Sequence, residues 1–285
     1  MKPAAFRYYA PKTIEEAVAL LAEVAPDDGR VLAGGQSLVP TMAFRLAKPG
    51  HLVDINGIAE LGRLAVEDGR LVIGAGVRHA AFHRPVAGGP LGQLLSFVVR
   101  HIAHYPIRTR GTFCGSLAHA DPASEWCLTA ATLGAEMVAI SVRGTRAIPA
   151  GNFFDGIMTT TLADDELLAE ARIALLSANT RFGFYEFSRR AGDYALAMAL
   201  VTYRIVDGTI VEPRIGIGGA EAQPRRIAEA EQALAGSPPT DAAFRAAADI
   251  AATRIDPMED IQANAEFRRD LVRTVTRRAL ERSAA

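Results

Sequence analysis

The segment Leu32-Ala33-Gly34-Gly35-Gln36-Ser37-Leu38 constrains the fold of this chain more than any other. It closes a short apolar run, Arg30-Val31-Leu32-Ala33, that reads as a strand, and it opens a helical stretch from Leu38 to Leu46. Adjacent glycines at such a junction permit positive φ and leave no Cβ in the way of a close-lying group. Backbone N–H groups and the helix N-terminus offer partial positive charge to a phosphate there, and Ser37 adds a hydroxyl. A Gly-Gly turn is also an ordinary way to join a strand to a helix, so alone it decides nothing. The flanking pattern completes a small βαβ unit. Phe6-Arg7-Tyr8-Tyr9 reads as a strand, and Thr13 followed by Glu16 is a capping-box signature. Ile14, Ala17, Val18 and Leu21 keep helical spacing, and His51-Leu52-Val53-Asp54-Ile55 reads as the closing strand.

A second glycine turn lies far along the chain. Before it come a hairpin, Arg63–Val66 and Arg70–Ile73 around Glu67-Asp68-Gly69, and a helix from Leu91 to Ile102. The turn itself, Arg108 to Ser116, sits between predicted helices and continues as a loop to Glu125. Gly111 and Gly115 bracket Thr112, Phe113 and Cys114; the Thr112 and Ser116 hydroxyls are placed to bond phosphate or ribose. Glu125 opens the next helix, near Ala123–Leu133, where it suits ribose hydroxyls; Asp121-Pro122 and Ser124-Glu125 equally suit simple helix capping. Neither turn spells G-x-G-x-x-G or a Walker loop, so those nucleotide folds are unsupported. Two strand-like runs, Ala135–Val142 and Arg146–Ile148, follow.

From Asn179 the texture changes. Phe182–Phe187, Ala195–Val206 and Ile215–Gly218 read as strands, and three helical segments run from Pro224 onward, broken at Gly236-Ser237-Pro238-Pro239 and Asp256-Pro257. The expected division is residues 1–56 and 57–177 as two α/β subdomains and 178–285 as a C-terminal domain.

Composition closes several alternatives. A net charge of −1 gives no electrostatic face for nucleic acid. Two cysteines in 285 residues, Cys114 and Cys127, fit neither a disulfide framework nor a zinc site. They also cannot ligate an iron–sulfur cluster. The N-terminal residues lack the apolar stretch of a signal peptide, and no apolar run approaches the ~20 residues of a transmembrane segment, so the expectation is a cytoplasmic protein.

The segments Ala33–Ser37, Arg110–Glu125, Ser188-Arg189-Arg190-Ala191-Gly192-Asp193-Tyr194 and Ala265–Leu271 with Arg277–Leu280 resemble the FAD-binding medium subunit of molybdenum hydroxylases. That is the carbon monoxide dehydrogenase type, homologous to the flavin domain of xanthine dehydrogenase, and the resemblance runs end to end. It implies the vanillyl-alcohol-oxidase-like (PCMH-type) fold, an α/β (α+β) architecture in which two subdomains clasp FAD and a C-terminal domain adds a small antiparallel sheet and helices. It places Ala33, Gly34, Gly35, Gln36 and Ser37 with Gly111, Thr112, Phe113, Cys114 and Gly115 at the FAD diphosphate, and counts the flanking Leu32, Leu38 and Ser116 among the cofactor-binding residues. Glu125 falls at the adenosine ribose, Tyr194 against the isoalloxazine ring and Leu162 at a further flavin contact, with Ala120, Asp121 and Asp193 also counted as cofactor-binding. Without that motif, Tyr194 reads as a core aromatic. Gln36 stands where wider relatives attach flavin through histidine, so non-covalent FAD is expected. The cofactor-binding residues carry no catalytic group of their own and no metal.

The resemblance further implies a large molybdopterin subunit, a small subunit with 2Fe–2S clusters, and assembly as a dimer of heterotrimers. Electrons would pass from the clusters to FAD and on to an external acceptor. Two other readings stand beside it: a free-standing FAD oxidoreductase with its own substrate pocket, and a nucleotide-binding module without redox turnover. Cys114 is a departure, because many relatives have Gly-Gly where this chain has Cys114-Gly115. A Cβ is tolerated there if φ is negative or the side chain turns away. His101 and His104 with His119 and Asp121 have the residue types of a metal site, but the family uses none, and satisfied polar groups near the crevice are expected.

Overall fold

The computed structural model describes residues 2–284. β1 (Arg7–Tyr9), α1 (Ile14–Val24), β2 (Gly29–Leu32), α2 (Leu38–Ala43) and β3 (His51–Asp54) form the first unit. β3 lies between β1 and β2 and runs parallel to both. Thr13 caps α1 by accepting the Glu16 N–H at 3.2 Å. The Glu16 carboxylate reaches back to the Lys12 N–H at 2.7 Å, one residue beyond the usual box. α1 buries Ala17, Val18, Leu21 and Val24, the stripe that its spacing predicts. α2 ends at Ala43, short of the expected Leu46: Arg45 takes a left-handed φ of 59°, and the Leu46 and Ala47 N–H groups fold back onto the Thr41 carbonyl.

The next region opens with the hairpin β4 (Leu64–Glu67) and β5 (Arg70–Gly74), turning on Asp68 and Gly69, both at positive φ. Then come α3 (Gly89–Val98), α4 (Tyr105–Arg108), α5 (Phe113–His119) and α6 (Glu125–Leu133). They are followed by β6 (Glu136–Ser141), β7 (Gly144–Pro149), the short pair β8 (Phe154–Gly156) and β9 (Thr159–Thr160), and β10 (Leu167–Ala174). The antiparallel sheet has the order β4-β5-β10-β6-β7. Its central strand, β10, escapes the sequence reading. Ala, Glu and Arg in Leu167–Ala174 favour helix locally. Pairing on both edges and burial of Leu167, Leu168, Ala169, Ala171 and Ile173 impose the strand instead.

The C-terminal region sets β11 (Arg181–Phe187), β12 (Ala197–Val206), β13 (Thr209–Gly218) and β14 (Arg225–Arg226) side by side in chain order, all antiparallel. α7 (Ala228–Leu234), α8 (Asp241–Arg254) and α9 (Ala265–Ala284) follow. Alternation along a strand sends successive side chains to opposite faces. Phe184, Met198 and Leu200 therefore join the first core with Phe113, Trp126 and Leu128. Ala197, Ala199, Val201 and Tyr203 join the second core with Val272, Val275 and Ala279. One sheet thus serves two cores, which fixes the C-terminal region against the elements that carry the glycine turns. Among the described residues, no helix is long and apolar enough to cross a membrane.

Candidate functional site

The two glycine turns touch. A Cβ placed on Gly34 would strike the Arg110 carbonyl oxygen and lie 2.6 Å from Gly111 Cα. Real carbon contacts sit at about 3.5–4.0 Å, so only glycine at position 34 lets the turns meet. Gly35 takes φ +70°, a conformation open to glycine at little cost. On the first turn, Ala33 O accepts from Asn56 Nδ2 at 2.8 Å and Gly34 O from Gln36 Nε2 at 3.2 Å. Ser37 stands at the start of α2 and makes no capping bond with its hydroxyl. Leu32 ends β2 and Leu38 begins α2, so they frame the turn.

The second turn departs from the expected loop: Phe113–His119 is the helix α5, with Thr112 as its N-cap. Thr112 is buried, and its hydroxyl oxygen accepts from the Gly115 N–H at 3.0 Å, so it serves the helix N-terminus while its proton stays available to donate. Phe113 and Cys114 are buried, so those two residues offer the site backbone alone. Cys114 follows the first helical residue, its φ is not positive, and its thiol points to Ile73 O at 3.4 Å. Burial pushes that thiol far above the ordinary range, and Cys127, whose thiol donates to Ser116 O, is pushed up to about 12 for the same reason. Both tolerances set out for Cys114 are met.

Asn56 and Arg78 join the turns by hydrogen bonds. Asn56 Nδ2 donates to Ala33 O, Arg78 Nη2 donates to Asn56 Oδ1, and Arg78 Nη1 donates to Arg110 O. Behind this strap, residues 77–79 bond to 111–113 through Phe113 N to Val77 O and His79 N to Gly111 O. The His79 ring fills the space beside Gly111, where a Cβ would lie 2.7 Å from its Cδ2. Trp126 Nε1 donates to His79 Nδ1 at 3.0 Å. Indole is a donor only, so Nδ1 must be the acceptor and the ring the neutral Nε2–H tautomer.

The other rim gathers carboxyls and Tyr194. Ala120 caps α5 in the left-handed region at φ 52°, and the Asp121 carboxylate accepts the Ala123 N–H at 2.9 Å. Glu125 opens α6 under the Ser124 cap. Burial pushes its carboxyl well above the ordinary range, and Asp121 adds to the rise while Arg108 opposes it. Glu186 is also raised, by burial and then by Glu125, and its Oε2 is sealed from solvent without a partner. The charge on Glu125 thus adds to burial in opposing ionisation of Glu186. Tyr194 is 70% exposed as a whole residue, but its hydroxyl end is partly desolvated, and this, followed by the charges of Asp121 and Glu125, raises its pKa. Asp193 is exposed beside it, with its N–H on Arg190 O; Leu162 packs at the edge of the first core.

Gly192 brings the Ser188–Tyr194 loop onto His104, since a Cβ there would lie 2.8 Å from the ring Nδ1. His101 is a half-buried histidine between Phe97 and Phe184, its Nδ1 3.3 Å from Phe97 O. Among the described residues, no group of three His, Cys, Asp or Glu is arranged to hold a metal ion. Asn56, Arg78, His79, Trp126 and Glu186 shape the site and escape the sequence reading. Only Glu186 leaves a local trace, a carboxylate in the apolar row Phe182, Phe184, Glu186. The donors at the seam are backbone N–H groups, a hydroxyl and a guanidinium, chemistry that fits a diphosphate.

Residues 4–174 match the family described as FAD binding domain in molybdopterin dehydrogenase, and residues 182–283 match the CO dehydrogenase flavoprotein C-terminal domain. The chain is 38% identical over 285 residues to the nicotine 6-hydroxylase medium subunit of Paenarthrobacter nicotinovorans, covering 100% of this chain and 99% of that one. Its fold superposes on carbon monoxide dehydrogenase from Hydrogenophaga pseudoflava with a TM-score of 0.95 at 35% identity, over 100% of this chain and 99% of that one. Quinoline 2-oxidoreductase from Pseudomonas putida 86 gives 0.93 at 35% identity, over 100% and 98%. The chain therefore belongs to the FAD-binding medium subunits of the molybdenum hydroxylases, the family of carbon monoxide dehydrogenase and xanthine dehydrogenase.

Proposed function

We propose that this chain is the electron-relay subunit of a heterotrimeric molybdenum hydroxylase, holding one FAD non-covalently at the seam of its two glycine turns. The observation that carries this reading is the contact of Gly34 with Arg110 and Gly111, which makes one cradle from two distant segments. Residues 32–38 and 111–116 would hold the diphosphate through backbone N–H groups, Ser37 and the Thr112 proton. Ala120, Asp121 and Glu125 would border the ribose, and Leu162, Asp193 and Tyr194 the ring. Gln36, already bonded to Gly34 O, is not a nucleophile, which supports non-covalent attachment. FAD, when bound, supplies the capacity to take electrons singly and release them as a pair. The protein's share is to bind it, orient it and leave the Tyr194 side open to electron donors and acceptors.

Two cysteines, both free thiols buried and hydrogen-bonded within this chain, leave the 2Fe–2S clusters to a small partner subunit, with the molybdopterin in a large one and the whole assembled as a dimer of heterotrimers in the cytoplasm. Relatives named for nicotine and quinoline share this fold. That supports a choice of substrate made in the large subunit. The test is purification of the chain from its native host. Co-elution with both partners and flavin bands near ~450 nm that bleach on reduction are expected. A solitary, active flavoprotein would point instead to a free-standing oxidoreductase, and a chain without those bands to a plain nucleotide binder.

Cys114→Gly is expected to bind FAD as the wild type does, because the side chain lies on the core side of α5. Losing a buried side chain inside a helix costs about 1–3 kcal/mol of stability. Fluorescence titration with FAD checks the first expectation and urea unfolding the second. Loss of flavin from a folded variant would assign the thiol to the site.

A further inference from the structure

Arg78 is a half-buried cation at the seam with no carboxylate paired to it. Two of its N–H groups are spent on neutral acceptors, Asn56 Oδ1 and the Arg110 carbonyl. Among the described residues it forms no ion pair. The one acid that acts on its charge is Asp54, whose oxygens already take the Asn56 N–H at 2.9 Å and the Tyr8 hydroxyl. Burial and the neighbouring Arg110 both work against its charge, and only Asp54 works for it. A cation held in a partly desolvated place without a counter-charge is costly. The cost is recovered when an anion arrives, and a guanidinium fork matches phosphate oxygens in geometry as well as charge. Its position is set on both sides: Arg110 O is the atom that crowds Gly34, and Asn56 holds Ala33 O.

We propose that Arg78 is a cofactor-contacting residue whose guanidinium, placed by Asn56 and Arg110, supplies the counter-charge for the FAD diphosphate. Given FAD at the seam, as proposed above, the family's backbone cradle is completed here by one fixed side-chain cation. The Asn56 and Arg110 bonds orient the fork before the ligand arrives, so little side-chain entropy is lost on binding.

The test measures FAD affinity of the full-length apo chain by flavin fluorescence, at low and at high salt, for the wild type, Arg78→Met, Arg78→Lys and Asn56→Ala. Arg78→Met is expected to weaken FAD about tenfold to a hundredfold and to flatten the salt dependence. Arg78→Lys keeps a charge without the fork, and should retain the salt dependence with a smaller loss. Asn56→Ala removes the strap on one side but leaves the cation, and should weaken binding less than Arg78→Met. Equal losses in all three variants with an unchanged salt dependence would reduce Arg78 to a strap between turns and overturn the proposal. So would wild-type affinity in Arg78→Met. If Arg78→Met does not fold, Arg78→Lys decides through its salt dependence, retained for and lost against. Absence of FAD binding by the wild type would instead overturn the cradle itself.

Discussion

Gly34→Ala is expected to weaken flavin binding severely while leaving the protein folded. The added Cβ meets backbone rather than the end of a flexible side chain: the Arg110 carbonyl oxygen and, at 2.6 Å, Gly111 Cα. Restoring ordinary contact distances requires the turns to part by about 1 Å. The Asn56–Arg78 strap and the paired backbones of residues 77–79 and 111–113 resist that movement. Overpacking a fitted contact costs about 1–3 kcal/mol. A ligand spanning both turns also loses the alignment of its donors, so FAD affinity should fall by a hundredfold or more, about 2.7 kcal/mol. Gly62→Ala is the control, because nothing lies within 4 Å of a Cβ there. Flavin content after purification and FAD titration of the apo variant read the effect. A folded Gly34→Ala chain that binds FAD like the wild type would move the diphosphate away from this seam.

The sequence carries the elements of this site better than their meeting. The strand–Gly-Gly–helix junction, the capped α1, the hairpin at Asp68-Gly69 and the three C-terminal helices are local patterns, visible in propensity, spacing and turn chemistry. β10 is not local: its Ala, Glu and Arg content argues for helix until β5 and β6 flank it. α5 is hidden for a related reason. Gly111, Gly115 and Asp121-Pro122 punctuate Phe113–His119 as a loop, yet the Thr112 cap suffices to start a helix in that short interval. The contact of Gly34 with Gly111 is a tertiary fact without sequence periodicity. So are the strap through Asn56 and Arg78 and the Trp126–His79 bond, each of which joins residues from separate elements. Family resemblance supplied the pairing of the two turns, but not the side chains that hold them together.

His79 should make the protein acid-labile in a defined window. The ring is 4% exposed, its Nδ1 is occupied by the Trp126 N–H, and its other edge lies against Gly111. Burial, reinforced by Arg108 and Arg78, lowers its pKa to about 3. In the unfolded chain the imidazole titrates near ~6.5. Between those values the unfolded state holds a proton that the native state refuses, so stability is complete above the upper value. It is lost as pH falls toward the lower, at about 1.4 kcal/mol per pH unit. From about pH 6.5 to about pH 4.5 that amounts to roughly 3 kcal/mol, a large share of the roughly 5–15 kcal/mol that holds a typical domain together. Glu125 and Glu186 act in the opposite sense, since their raised carboxyls take up protons more readily in the native state. The decisive quantity is therefore the difference between the wild type and His79→Gln, measured as urea midpoints across the window. The variant should start less stable at pH 7.5, having lost the Trp126 contact, and should decline less on acidification. Parallel curves would show that another group sets the acid limit. Because the ring supports Gly111 directly, flavin release from the wild type should follow the same acid window, and in His79→Gln it should not.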